Sequence, residues 1–319
     1  KQRFAPCKAS LKNIHEALRS CSLDSEFTRA AIAPTIPLHC SDEFMRGCAK
    51  IAHEFDIGVH SHVAESKIQA ISGLKLYGKS LTAHLEDIGL LGPKFTVAHG
   101  VWLDDDDFRR LSGNGASVAH NPGSNMRLGS GLADARGMLN YRVNLGIGTD
   151  GAHCSDNQNM YEAMRITSMV SRVQGTDQSQ WLSTEEIFTA ATEGSARALG
   201  WDNIGRIESG YKADIVFLDL QTINWIPLND PTNQLVHTED GSSVKHVMVD
   251  GELVVHNRRP VNIDMVSLAK ETEAARARLA RVNLPGKMLF ERLERVVGSF
   301  CPGLAMTPHH INRHVAGRH

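Results

Sequence analysis

Six short apolar runs, each followed by a stretch of helical character, narrow the fold of this chain more than any other feature. They are "RFAPC" (3–7), "RAAIAPT" (29–35), "IGVHSHVAE" (57–65), "KFTVAHGV" (94–101), "ASVAHNPGSN" (116–125) and "RVNLGIGTDGA" (142–152). Strands covered on both faces read as unbroken apolar runs, and parallel strands need a helical crossover between them. The alternation therefore predicts six parallel βα units in an α/β fold. Helix starts fall where capping chemistry asks for them. Ser41 precedes Asp42 and Glu43, and Ser183 stands three residues before Glu186, a capping-box spacing.

From about Gly205 the texture changes. "GRIESGYKADIVFLDL" and "VKHVMVDGELVV" are β-branched runs with a tight "VDGE" turn and no long helix between them. They read as a small β-module appended to the α/β part. "IDMVSLAKETEAARARLARV" then has the period and composition of an amphipathic helix, and a short helix and a His-rich tail follow. The division expected is a barrel domain over 1–203, the C-terminal part of a β-sandwich over 204–258, and helices with a tail over 259–319.

The chain has 319 residues and a formal net charge of −2. That balance gives no electrostatic reason to expect nucleic acid or an anionic membrane. No apolar run reaches membrane-spanning length. The six cysteines form no CxxC pair, which argues against a structural zinc knuckle and fits reduced thiols in a cytoplasm. "KQRFAPCKAS" opens the chain without an initiator Met, as expected of a fragment or a processed form.

Polar residues recur where the apolar runs end. The third run supplies His60, His62 and Glu65, the fourth His99, the fifth His120, Asn121 and Ser124, and the sixth Asp150. In a parallel αβ barrel the C-terminal strand ends face the active site. A lone histidine ending a buried strand is more often a hydrogen-bonded core residue, and Asp150 before glycine could be a turn residue. Such positions on successive strand ends converge on one mouth, where unpaired polar groups are costly unless metal or substrate engages them. Imidazole and carboxylate favour zinc or iron over magnesium. Glu65, in the loop above His62, suits proton transfer. "DDDD" at 104–107 reads as a solvated loop and helix start, Cys154 as an inert packed thiol, and the terminal histidines as a surface tail.

These stretches resemble the amidohydrolase superfamily, in its aminohydrolase branch. That branch includes deaminases of guanine, 8-oxoguanine, isoxanthopterin and S-adenosylhomocysteine, and triazine chlorohydrolases. "VHSHVAES", "TVAHGVWLDDDD", "VAHNPGSNMRLGSG", "GIGTDGA", "GRIESGYKADIVFLDL" and "DPTNQLVHTEDGSSVKHVMVDGELVV" occur in family order across residues 30–255. The resemblance implies a (β/α)8 barrel with a small β-sandwich, one divalent metal (zinc, or iron), and hydrolytic deamination of an amino-substituted N-heterocycle. It implies His62 as a metal ligand, Glu65 as proton shuttle, His99 beside the hydrolytic water, and Asp150 as both ligand and base. Ser124 and Asn125 are placed near the substrate, and His60 is structural. A homodimer or larger homo-oligomer is the family habit.

One departure stands out. The family takes two more ligands from a His-x-His at the end of its first barrel strand. No such motif precedes residue 58, where His15 and His39 stand alone. The expectation is a chain that begins near the third barrel strand, with six of eight strands present. Three rivals remain. A hydrolase releasing chloride or an alkylamine would use the same residues. A binuclear cyclic amidase would need a bridging lysine, which "AAIAPT" lacks. An inactive barrel scaffold would explain the missing His-x-His.

Overall fold

A computed structural model describes residues 7–21 and 26–314, without the side chains of 299–302. Five strands form a parallel sheet in sequential order: β1 (Ala31–Ile32), β2 (Gly58–Val63), β3 (Phe95–His99), β4 (Ser117–His120) and β5 (Asn144–Ile147). They coincide with the second to sixth apolar runs. Most of the first run lies outside the described residues, and its last residue, Cys7, opens the helix Cys7–Ser20. Helices cross over between successive strands, including Asp42–Glu54, Lys67–Tyr77, Asp105–Gly113 and Ala135–Asn140. Ser41 accepts a hydrogen bond from the Phe44 amide, and Ser183 and Glu186 complete a reciprocal capping box.

The register separates two faces of the sheet. Val59 and Val63, Phe95 and Val97, Val118, Leu145 and Ile147 alternate along their strands and are buried in the core with Met45, Leu85, Phe108 and Leu111. Burying a Val, Leu or Phe side chain contributes about 1.5–3 kcal/mol, so this face carries much of the folding energy. The opposite face is not uniformly apolar. Thr96, Ser117 and Asn144 lie side by side across three strands. They meet a helical stretch that runs from Thr184 through a π turn at Ala190–Gly194 to Ala198. The Thr96 hydroxyl donates to the Ala198 carbonyl at 2.7 Å, and Asn144 Nδ2 to the Gly194 carbonyl at 3.0 Å. The polar row thus caps backbone carbonyls that would otherwise be buried unpaired.

The same stretch covers the open edge of β5. The Ser195 hydroxyl lies 3.1 Å from both the Ile147 amide and the Ile147 carbonyl. Contact there is so close that a Cβ on Gly194 would stand 1.9 Å from the Leu145 carbonyl oxygen. Gly194→Ala is therefore expected to cost about 3 kcal/mol or more, the upper range for overpacking. Gly113→Ala, where nothing lies within 4 Å, should be neutral or stabilising by up to about 1 kcal/mol. Denaturant titration of the two variants checks the contrast, and equal effects would remove the close-approach argument.

β6 (Ile215–Leu218), β7 (Val244–Val249), β8 (Glu252–His256) and β9 (Arg259–Pro260) form a separate antiparallel sheet in that order. The expected turn sits at Asp250 and Gly251, both with positive φ (48° and 86°), as a two-residue hairpin of this type requires. Glu239 fastens this module to the α/β part. Its buried carboxylate accepts from Trp225 Nε1 at 2.6 Å and the Gly241 amide at 2.8 Å, while its carbonyl accepts from Arg165 at 2.7 Å. Arg165 belongs to the helix Met160–Val173, which follows the Asp150 loop.

One expectation changes at the C-terminal end. One continuous helix, Met265–Ala305, replaces the two anticipated, and it runs through Pro285. The stretch before that proline is rich in Ala, Leu, Arg and Glu, whose high helix propensity supports a long helix. The His-rich tail lies at the surface, with His310 and His314 exposed, but it is held there: residues 307–314 dock against the α/β part through Ile311 and Arg313. No described helix is long and apolar enough to cross a membrane.

Candidate metal and catalytic site

His62, Glu65, His99, Ser124, Asn125 and Asp150 all lie at or just beyond the C-terminal ends of β2 to β5. His62 is the penultimate residue of β2. Its Nδ1 donates to the Thr35 carbonyl, which follows β1, at 2.5 Å. A carbonyl can only accept, so Nδ1 carries the proton and Nε2 keeps a free lone pair.

His99 reaches the same region by leaving the pleat. His62 pairs in register with Ala98, and Val63 with His99. Strict alternation would therefore turn the His99 ring away from His62. Instead His99 has φ 74°, in the left-handed region that non-glycine residues rarely adopt, and Gly100 follows at 56°. The two rings end up stacked, with centroids 5.4 Å apart and an interplanar angle of 21°. Asp150 is also left-handed, with φ 61°. Strained backbone of this kind persists where the surrounding structure over-determines it, and it concentrates at functional sites.

Asp150 closes the cluster. Its Oδ2 lies 3.8 Å from His99 Nε2 and accepts the Ser124 hydroxyl at 2.6 Å, while Oδ1 accepts the Gly151 amide at 2.6 Å. Burial acts to raise this carboxyl. The Ser124 and Gly151 donors, with His99 and His62 nearby, outweigh it and hold the group below its ordinary value. His99 Nδ1 in turn donates to Asn125 Oδ1 at 2.9 Å, which leaves Nε2 as the nitrogen facing Asp150. Ser124 and Asn125 are themselves buried. They stand behind Asp150 and His99 and grip them.

Glu65 is half-buried, two residues beyond the end of β2. Gln69, one helical turn on, donates to Glu65 Oε2 at 3.2 Å and accepts the Glu65 amide at 3.1 Å. Cys154 lies beside the site. Its thiol is pushed up by burial and then by the charges of Asp150 and Glu65, so it stays protonated. His60 shares the His62 face and is kept neutral by burial. His120 is buried with neither ring nitrogen hydrogen-bonded, and burial followed by His99 pushes its pKa down to about 4. His15 pairs with Glu54 between two outer helices at 2.8 Å, and His39 is exposed.

Thr35 and Gln69 were not singled out from sequence. Gln69 had a signal, since it stands at i+4 from Glu65, the spacing at which helical neighbours meet. The Thr35 carbonyl had none. "DDDD" also reads differently in the structure. Asp104 caps the helix Asp105–Gly113, but Asp107 is buried and accepts the Ser80 hydroxyl at 2.6 Å, and burial pushes its pKa up to about 6.

By type, the donors suit a divalent first-row metal: two tautomerically fixed imidazoles with free Nε2 lone pairs, beside a carboxylate kept ionised. Two lone pairs and an anion turned toward one region are mutually repulsive unless a cation or proton joins them. By number, the set is short. Among the described residues no three of His, Cys, Asp or Glu stand in metal-holding geometry.

The described structure is thus a parallel αβ sheet with histidines and an aspartate at its strand ends. The amidohydrolase family model matches residues 5–254, and the chain belongs to that family, with its α/β barrel fold. It is 36% identical over 268 residues to a 5'-deoxyadenosine deaminase of Methanopyrus kandleri, covering 83% of this chain and 62% of that one. It is 36% identical over 248 residues to a 5-methylthioadenosine/S-adenosylhomocysteine deaminase of Thermococcus kodakarensis, covering 76% and 58%. The crystal structure of an adenosine deaminase from Xanthomonas campestris with bound zinc superposes with a TM-score of 0.79 at 29% identity, covering 86% of this chain and 62% of that one. The chain thus spans less than two thirds of the length of each of these relatives.

Proposed function

We propose that this protein hydrolytically deaminates an amino-substituted N-heterocycle and releases ammonia, with an adenosine-type nucleoside as substrate. The observation that carries the reading is the convergence of His62, His99 and Asp150 at one mouth of the sheet, with Glu65 two residues beyond the end of β2. The names of the relatives support the nucleoside class. His62 and Asp150 would hold a divalent metal, most suitably zinc, with iron the alternative. Such a metal would supply an activated water by lowering its pKa to about 7.

The chain's own residues supply the rest. Asp150, kept ionised by its neighbours, takes a proton from water. His99 offers Nε2 to that water as an acceptor and orients it toward the ring carbon that bears the amine. Once protonated at Nε2, His99 donates to the oxygen on which negative charge develops. Glu65 delivers a proton to the adjacent ring nitrogen, which makes the carbon electrophilic. Ser124 and Asn125 fix the directions of Asp150 and His99. Asp150 then returns its proton to the amine, which leaves as ammonia, and the attacking oxygen, whose second proton has passed to His99 Nε2, becomes the carbonyl oxygen.

The test measures metal per chain and ammonia release on the whole protein after metal-replete expression. About one zinc or iron per chain, with ammonia released from 5'-deoxyadenosine or a related nucleoside, is expected. Two metals per chain would favour cyclic amide hydrolysis. No metal and no ammonia from any amino-heterocycle would leave an inactive barrel.

A further inference from the structure

The C-terminal residues 307–314 return from the long helix and lie across the loops beside the candidate site. Arg313 makes the central contacts. Its side chain is 14% exposed, its guanidinium donates to the Leu103 carbonyl at 2.7 Å, and it pairs with Asp134 at 3.4 Å. Its own carbonyl accepts the Leu132 amide at 2.7 Å. A Cβ on Gly131 would stand 2.8 Å from that carbonyl oxygen, so the tail is seated closely on residues 131–132. Further along, His310 Nε2 meets Asp104 at 2.6 Å and His314 Nε2 meets the Gly129 carbonyl at 3.2 Å.

This contact leads directly to the site. The Ser130 amide donates to the Asn125 carbonyl at 2.8 Å, and the Ser130 carbonyl accepts Trp102 Nε1 at 2.7 Å. Trp102 stands three residues after His99, and its ring meets His309 and His314 edge-on at 5.8 and 5.1 Å. Asn125 Oδ1 holds His99 Nδ1. The tail therefore grips both the segment that follows His99 and the segment that follows Asn125.

We propose that residues 307–314 form an intramolecular strap, with Arg313 as its pin, that positions His99 through Asn125. Arg313 touches neither substrate nor reacting atoms. It acts as a positioning residue by clamping residues 129–134 against Leu103. Pinning the two ends of a hydrogen-bonded pair limits the swing of the imidazole, and small misplacements of a catalytic group are costly in rate. The mechanical part stands on the contacts above, and the catalytic part rests on the deamination reading.

The test uses the whole protein carrying Arg313→Ala or Arg313→Lys. Lysine keeps the charge opposite Asp134 but not the fork that also reaches Leu103, so it separates pinning from simple ion pairing and guards against a variant that fails to fold. Amide hydrogen exchange over 124–134 should accelerate about tenfold in both variants, while exchange over 58–63 and the metal content stay at wild-type values. With a substrate in hand, kcat should fall about tenfold with KM within about twofold, the pattern of a lost orientation in the transition state. Unchanged exchange over 124–134 in either variant overturns the strap. So does equal acceleration over 58–63, which marks general destabilisation. Accelerated exchange with unchanged kcat overturns the positioning role. If the wild-type protein releases no ammonia from any substrate, the deamination reading fails, and the exchange data still decide the strap.

Discussion

Asp150→Asn is expected to lower turnover by about a thousandfold or more, equivalent to about 4 kcal/mol of transition-state stabilisation. Three consequences of one substitution combine. The amide binds a first-row cation less well than the carboxylate, it cannot take a proton from water, and it removes the anion 3.8 Å from His99 Nε2. An asparagine oxygen can still accept the Ser124 hydroxyl, while its NH2 group would face the Gly151 amide, a local cost at a partly exposed loop residue that the fold should survive. The checks are kcat/KM, metal per chain, and a thermal melt that stays within a few degrees of wild type. Metal content should fall with activity. A variant retaining a tenth of the wild-type turnover would remove Asp150 from the mechanism.

Glu65→Gln is expected to cut kcat by about a hundredfold to ten-thousandfold, the range for loss of a general acid or base. Metal content should not change, because Glu65 is not placed among the ligands. Glutamine has the same shape and can still accept from Gln69, which isolates the loss of a transferable proton from any loss of position. The two variants therefore differ in signature, one losing metal and rate together and the other rate alone. Full activity in Glu65→Gln with metal bound would end the shuttle assignment.

Much of this candidate site is legible in the sequence. Parallel strands announce themselves as apolar runs because helices cover them, and His62, His99 and Asp150 stand out because polar groups at the ends of such runs need a reason. Ser183 and Glu186 marked a helix start because a capping box depends on four consecutive residues. Other features depend on contacts distant in the chain and left no trace. Asp107 reads as solvated within "DDDD", yet it is buried and accepts the hydroxyl of Ser80, the N-cap of the helix Leu81–Asp87. Thr96, Ser117 and Asn144 form a row only once three strands are in register. The docking of the surface tail left no signal because its partners, Leu103 and Asp134, lie 210 and 179 residues away.

What the sequence by itself determined is the kind and order of the candidate site residues, with histidine and glutamate after β2, histidine at the end of β3, serine and asparagine after β4 and aspartate after β5, and with them the family. Only the tertiary structure decided which nitrogen of each histidine is free. The Nδ1 of His62 is engaged by a carbonyl 27 residues away, and that of His99 by an amide oxygen 26 residues away. Each partner arrives from a neighbouring βα unit. A tautomer is set by a hydrogen bond, and these bonds exist only when adjacent strands hold their register, which no local pattern encodes.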